Sequence, residues 1–339
     1  MKKLSLVLIG MGRIGRIHLN NILRQFPSVE IAGVADRDYS AEKFAQEYGA
    51  IPFSREAEEL IAQPGVDAVL ICTPTSSHAA MIRLALKHGK HIFCEKPVDL
   101  SLETTKELVD QVKAAGIKMM LGFNRRFDPD FLHARRQLTD GRIGEVQIVK
   151  ITSRDPGLPP IDYIKNSGGL FMDMVIHDFD MARYLMGKEV REVYAQGRVL
   201  VDPKVGEAGD IDTALTTLIF EDDSYAVIDN SREAIYGYDQ RLEIFGNKGM
   251  LQVENNLHNK SIIYDQTGIH HAQPLDFFMD RYAASYLNEM KFFIDALHND
   301  QPIPVSGQDG LEAVLIATAA KWSVEKKRPV SIAEVKAIL

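Results

Sequence analysis

The sequence predicts an α/β protein: a doubly wound parallel sheet over residues 1–123, followed over residues 124–339 by an α+β domain with a largely antiparallel, open-faced sheet. Up to about residue 123, short apolar runs alternate with amphipathic segments, the pattern of parallel strands covered by helices on both faces. Beyond residue 140, strand-like segments rich in β-branched residues follow one another directly. At 339 residues the chain is long enough for two hydrophobic cores.

In the first half the expected strands are Leu4–Gly10, Val29–Asp36, Asp67–Thr73, His91–Lys96 and Lys118–Phe123. Helical periodicity lies between them near 13–25, 40–48, 54–62, 76–88 and 101–115, the last with Ser101 as N-cap. In the second half the expected strands are Glu145–Arg154, Arg191–Val201, Thr213–Phe220, Ser224–Ser231 and Arg241–Glu254. Gly246-Asn247-Lys248-Gly249 reads as a hairpin turn inside the last of these. Helices near 285–298 and 308–326 close the sequence, and their stripes Leu287-Met290-Phe293-Ile294-Leu297 and Leu311-Val314-Leu315-Trp322 read as core faces. No internal repeat is present.

Composition narrows the class of function. Hydrophobic residues make up 45% and charged residues 25%, ordinary for a globular protein. A net charge of −8 with no basic stripe argues against a nucleic-acid partner. Met1-Lys2-Lys3 and the apolar run after it superficially resemble a short leader, but Gly10, Gly12, Arg13 and Arg16 interrupt it too soon. No apolar stretch reaches the ~18 residues of a membrane span. The expectation is a cytoplasmic protein. Cys72 and Cys94, each ending an apolar run, are expected to be free thiols.

Gly10-Met11-Gly12-Arg13-Ile14-Gly15 matches G-x-G-x-x-G directly after the first strand and at the start of a helix. Asp36 ends the second strand 21 residues after Gly15. Together these satisfy the Rossmann dinucleotide fingerprint: a tight glycine turn, a pyrophosphate at a helix N-terminus and a carboxylate for the ribose hydroxyls. Asp36 would repel a 2′-phosphate, so NAD is the expected cofactor; Arg37 beside it would partly offset that repulsion. Thr73-Pro74-Thr75-Ser76-Ser77-His78 ends the third strand, where a doubly wound sheet presents its ligands, and Glu95-Lys96-Pro97 ends the next. A lysine at that edge can hydrogen-bond a substrate oxygen.

Gly168-Gly169-Leu170-Phe171-Met172-Asp173-Met174-Val175-Ile176-His177-Asp178-Phe179-Asp180 carries the chemistry. As an α-helix it puts Asp173, His177 and Asp180 within roughly 60° of one another at about 100° per residue. Two carboxylates and an imidazole among apolar neighbours must bond to one another or to a ligand. Neutral imidazole, with an ordinary pKa near ~6.5, suits a base for alcohol oxidation. A structural polar network and a metal site are the alternatives, and a cationic Lys96 would oppose the metal. The histidines His18, His88, His133, His258, His270, His271 and His298 have no comparable setting and are expected at the surface.

The glycine fingerprint, Glu95-Lys96-Pro97 and Gly168-Gly169…Asp173…His177…Asp180 resemble the Gfo/Idh/MocA family of nicotinamide-dependent sugar oxidoreductases over essentially the whole chain. Four segments are most similar to members acting on inositols: Gly122-Phe123-Asn124-Arg125-Arg126-Phe127, Thr152-Ser153-Arg154-Asp155-Pro156, Ile176 to Tyr184, and Tyr236-Gly237-Tyr238-Asp239-Gln240-Arg241. The resemblance implies that Lys96 orients the substrate hydroxyl, His177 accepts its proton and Asp173 bonds to His177 or to substrate. It also implies that Asp180 binds another ring hydroxyl and that Asn124, Asp155 and Tyr236 line the substrate. The cofactor contacts it implies are Gly10, Gly12, Arg13, Ile14, Gly15, Asp36, Arg37, Thr73, Pro74, Thr75, His78, Glu95 and Lys96. The implied partner is a small polyol such as an inositol, and the implied assembly a homotetramer or dimer. A dehydrogenase of another polyol or sugar, or a nicotinamide-binding regulator without turnover, are the competing functions.

Overall fold

The computed structural model describes residues 3–38, 40–49 and 51–339; Met1 and Lys2 of the leader-like start lie outside the described residues. The chain divides into two compact units, Met1–Asn124 with Ser285–Val314, and Arg125–Ala284 with Leu315–Leu339.

The first unit holds a six-stranded sheet of β1 (Leu4–Ile9), β2 (Val29–Ala35), β3 (Phe53–Ser54), β4 (Ala68–Ile71), β5 (His91–Glu95) and β6 (Met119–Gly122). Its order is β3-β2-β1-β4-β5-β6, and every pairing is parallel. All of β1 and β4 is buried, which explains their unbroken apolar sequence. Each fully buried aliphatic side chain there contributes about 1.5–3 kcal/mol. The order reverses between β1 and β4, so the ligand crevice of this sheet lies past their carboxyl ends. Helices Arg13–Gln25, His78–Lys87 and Leu102–Ala114 begin within two residues of where the sequence places them, the second after a 3-10 turn over Thr75–Ser77, the last capped by Ser101, which accepts from the Thr104 amide at 3.2 Å. Cys94 is buried, Cys72 is partly buried, and both are free.

Ser285–Val314 belongs to this unit, although the sequence division assigns it to the second domain. The reason is the open edge of β6. The Leu121 amide donates to the Val305 carbonyl at 3.0 Å, Met120 bridges Ser306, and Lys118 donates to the carbonyls of Ala296 and Gln301. Gly310 packs so closely that a Cβ there would stand 2.1 Å from Leu121 Cδ1. His18, expected at the surface, is fully buried in this unit, with its ring edge-on to Phe93 and Tyr286.

The second unit is built on a seven-stranded sheet. Its strands are β7 (Val146–Arg154), β8 (Val190–Arg198), β9 (Thr213–Phe220), β10 (Tyr225–Ser231), β11 (Asp239–Gly246), β12 (Gly249–Val253) and, far along the chain, Val330–Ser331. β10 and β7 run parallel while the other pairings are antiparallel. The expected Arg241–Glu254 strand is a hairpin that turns at Asn247-Lys248. One face is covered, with Val193, Ala226, Ile228 and Ile244 buried. The other leaves Ile148, Tyr194, Leu215, Tyr225, Val227, Phe245 and Met250 exposed. Tyr225, Ile148, Phe245 and Met250 are successive register partners, so they form one apolar row across four strands. A separate hairpin, Ile262–Asp265 with Gly268–His271, escaped the sequence reading because every residue of it is exposed and nothing imposes alternation.

Candidate active site

The nucleotide end of the first unit is assembled by backbone geometry. Gly10 has φ +94°, and a Cβ on it would meet the Cys72 carbonyl and Thr73 amide at 2.7–2.8 Å, so the loops after β1 and β4 touch there. A Cβ on Gly15 would lie 2.0 Å from the Gly10 carbonyl oxygen, whereas one on Gly12 would meet nothing within 4 Å. Two glycines close the turn and the third leaves open space at the N-terminus of helix Arg13–Gln25, the place a pyrophosphate needs. Asp36 is next to this loop: it accepts from the Met11 amide at 2.6 Å and the Asp38 amide at 2.9 Å. Arg37 is exposed.

His78 is buried, its Nδ1 2.7 Å from the Pro97 carbonyl and its Nε2 2.9 Å from the Thr73 carbonyl. Burial pushes its pKa below the ordinary value, although both carbonyls pull the other way. The ring therefore ties the Thr73 loop to the turn after Lys96. Thr73 also accepts from the Ser77 hydroxyl at 2.8 Å. Glu95 and Lys96, at the carboxyl end of β5, are partly exposed. Asn124 follows β6 and is buried.

In the second unit the decisive stretch is not a uniform α-helix. Gly168 and Gly169, at φ +86° and +84°, lead into a π-helical turn over Phe171–Val175, and an α-helix runs from Ile176 to Met186. A Cβ on Gly169 would stand 2.8 Å from Asp210, whose carboxylate accepts from the Leu170 amide at 3.1 Å. The turn over residues 171–175 is wider than the α-helix on which the 100° spacing rests. Each acidic residue goes to its own arginine. Asp173 accepts from both terminal nitrogens of Arg232 at 3.2 Å and from the Tyr163 hydroxyl at 2.8 Å. Asp178 pairs with Arg125 and accepts from Asn230 at 2.8 Å. Asp180 accepts from Arg126 at 2.5 and 2.7 Å.

Between Phe171 and Asp180, every residue except Asp173 and His177 is buried. Burial raises the Asp178 carboxyl despite Arg125. Asp155, one residue beyond β7, is pushed up to about 6, chiefly by burial and then by Asp173, against the pull of Arg232. The Ala234 amide donates to the Asp155 carbonyl at 2.7 Å, which brings the 232–236 loop alongside. In that loop the Tyr236 hydroxyl donates to Asp239 at 2.6 Å and accepts from Arg154 at 3.1 Å.

Asp155, Asp173, His177, Asp180 and Tyr236 thus belong to one unit, and the glycine loop, Asp36, Thr73, His78, Glu95, Lys96 and Asn124 to the other. Sequence reasoning missed Arg125, Arg126, Tyr163, Asp178 and Arg232. Arg125-Arg126 was visible as a basic pair, but only burial shows that it answers two aspartates. Among the described residues, the three ligand-type side chains that do converge to metal-binding separation are His18, Glu95 and Glu289, not Asp173, His177 and Asp180.

Residues 4–123 match the model of an oxidoreductase family with an NAD-binding Rossmann fold, and residues 131–252 match the GFO/IDH/MocA C-terminal domain. The chain is 44% identical over 328 residues to myo-inositol 2-dehydrogenase of Thermotoga maritima, covering 96% of this chain and 98% of that one. It is 46% identical over 329 residues to inositol 2-dehydrogenase of Rhizobium meliloti, with the same coverage. The structure of scyllo-inositol dehydrogenase from Lactobacillus casei with bound NAD(H) and scyllo-inositol superimposes with a TM-score of 0.91 at 30% identity, covering 98% of this chain and all of that one.

Proposed function

Because the chain belongs to the GFO/IDH/MocA oxidoreductase family, we propose that it is an NAD-dependent inositol 2-dehydrogenase that oxidises a ring secondary hydroxyl to a ketone. The observation that carries this reading is the pair Asp173 and His177, the two polar side chains left open in an otherwise buried stretch. Near-full-length similarity to inositol dehydrogenases supports the substrate.

Bound NAD supplies the hydride acceptor. The glycine loop fits it: Gly12 leaves room at a helix N-terminus, and Asp36 stands at the same loop to take ribose hydroxyls and to disfavour a 2′-phosphate. Lys96 orients the reacting hydroxyl and stabilises the charge that grows on its oxygen. His177 takes the hydroxyl proton as general base. Asp173, held by Arg232 and Tyr163, favours the imidazolium that results or binds a neighbouring hydroxyl. Asn124, Asp155 and Tyr236 receive further ring hydroxyls; Asp180, which the family resemblance assigned the same task, is instead buried with both carboxylate oxygens held by Arg126 and fixes the helix that carries His177.

Residues 124–339 serve substrate binding and self-association in this reading. The apolar row Tyr225–Ile148–Phe245–Met250 is the surface a homotetramer or dimer would cover. Two free cysteines accord with residence in the cytoplasm, and among the described residues no helix is long and apolar enough to cross a membrane. The test is NADH formation with myo-, scyllo- and D-chiro-inositol alongside glucose. Activity confined to glucose or another non-inositol sugar would replace the substrate.

A further inference from the structure

His18, Glu95 and Glu289 form a buried cluster in the first unit for which neither cofactor nor substrate binding accounts. His18 comes from helix Arg13–Gln25, Glu95 from the end of β5 and Glu289 from helix Ala283–His298. Their ligand atoms lie within 4.8 Å of one another. His18 Nε2 is 3.0 Å from Glu95 Oε1 and 3.7 Å from Glu289 Oε1. His18 and Glu289 are fully buried, and neither oxygen of Glu289 accepts a hydrogen bond. Phe93 and Tyr286 wall the imidazole edge-on, and Phe293 stacks its edge on Phe93. Gly122, the register partner of Glu95 on β6, completes the enclosure: a Cβ there would lie 2.8 Å from Glu95 Oε2.

We propose that His18 and Glu289, with the space left by Gly122, hold the Glu95 carboxylate in one place and thereby position Lys96, the next residue, for the reaction. Glu95 accepts from the His18 N–H. Glu289 carries its own proton, since two charged carboxylates this close in an apolar enclosure would repel. Burial and then the charge of Glu95 both push the Glu289 carboxyl well above its ordinary range. Glu95 is here a positioning residue and makes no contact with the reacting atoms. The side chain that the family resemblance places at the cofactor bonds to this cluster through its Oε1.

The proposal rests on Lys96 acting in the dehydrogenase reaction, so the experiment has one readout that needs turnover and one that does not. Full-length Glu289→Met, Glu289→Gln and Gly122→Ala are compared with wild type by steady-state NADH formation with myo-inositol. The environment of Lys96 is read separately by NMR of the ¹³C-dimethylated protein, its signal assigned with Lys96→Arg. Glu289→Met and Gly122→Ala are expected to lower kcat at least ~10-fold with KM for NAD within about 2-fold, and to shift the Lys96 signal. Glu289→Gln, isosteric with the neutral acid, keeps both readouts near wild type. Gly122→Ala crowds Glu95 from the opposite side, and so carries the test if Glu289→Met does not fold. An unmoved Lys96 signal in the folded variants overturns the proposal. So does Glu289→Gln as impaired as Glu289→Met, or wild-type activity lost to a chelator and restored by a divalent cation. Wild type inactive on every inositol would sink the substrate reading while leaving the Lys96 signal to judge this one.

Discussion

Asp173 is gripped by Arg232 through both terminal guanidinium nitrogens, each at 3.2 Å, and Arg232 is 1% exposed while Asp173 is the end left open. A buried cation that fixes a partly exposed carboxylate sets its orientation before any ring hydroxyl arrives. Arg232→Met removes that cation and leaves Asp173, which keeps some contact with solvent, unpaired, at a cost below the about 3–5 kcal/mol of a fully buried pair. The expected result is a lower Tm together with a kcat reduced at least ~10-fold, because Asp173 loses its set direction. Arg232→Lys should recover part of the stability and little of the activity, since a single ammonium cannot copy two nitrogens on one oxygen.

Replacing His177 by Ala should reduce turnover at least ~100-fold while NAD affinity, read by titration, stays near wild type. A variant that retains full turnover would remove His177 as the base.

For Asp36→Ala, KM for NAD should rise by about 10-fold or more, with a smaller rise for NADP, as expected when a charged hydrogen-bond partner of the ribose is lost. Equal rises would mean that Asp36 serves only the amides of Met11 and Asp38, to which it is bonded at 2.6 and 2.9 Å.

Asp155 gives a pH signature. Its carboxyl is raised to about 6 from an ordinary 3.8, so the folded protein holds this proton over a window in which the unfolded chain has released it. This group's contribution to stability therefore falls as pH rises from about 4 to about 6. Asp155→Asn removes this pH dependence. Relative to wild type its Tm should gain at pH 7–8, and the gain should vanish near pH 4. KM for the inositol should rise about 10-fold or more from the lost charged acceptor. A Tm difference independent of pH would show that Asp155 is ionised throughout.

If the open sheet face is the proposed subunit interface, charge placed on it should dissociate the oligomer. Phe245→Asp sits in the row with Ile148 and Met250, and sedimentation velocity should show a smaller species with the monomer fold intact by circular dichroism. An unchanged sedimentation coefficient would remove this row as a subunit interface.

The sequence announced its strands well where burial on both faces left no choice, as in β1 and β4, and Thr213–Phe220 was legible to the residue. The two-residue strands and the exposed Ile262–His271 hairpin were not, because nothing in them alternates. At the site, residue types and spacing identified Asp173 and His177, but α-helical geometry was assumed where a π-helical turn intervenes. The arginine partners were illegible for another reason. Arg232 meets Asp173 from 59 positions away, and Arg126 meets Asp180 from 54, and periodicity carries no information across such distances. His18 misled for the same cause: a polar residue in an amphipathic helix looks external until Glu95 and Glu289 surround it.

The capping of β6 by Val305 and Gly310 has a genetic corollary. The dinucleotide-binding body is not a contiguous stretch of the gene, because its last edge is encoded after nearly all of the other body. A fragment ending at residue 124 would emerge from the ribosome with a bare strand edge, with Leu121 and Val98 stripped of the helix that carries Gly310 and Phe93 stripped of Phe293. Gene fusions or chimeras that swap cofactor preference must therefore transplant two pieces, 1–124 and 285–314, or inherit an aggregation-prone seam.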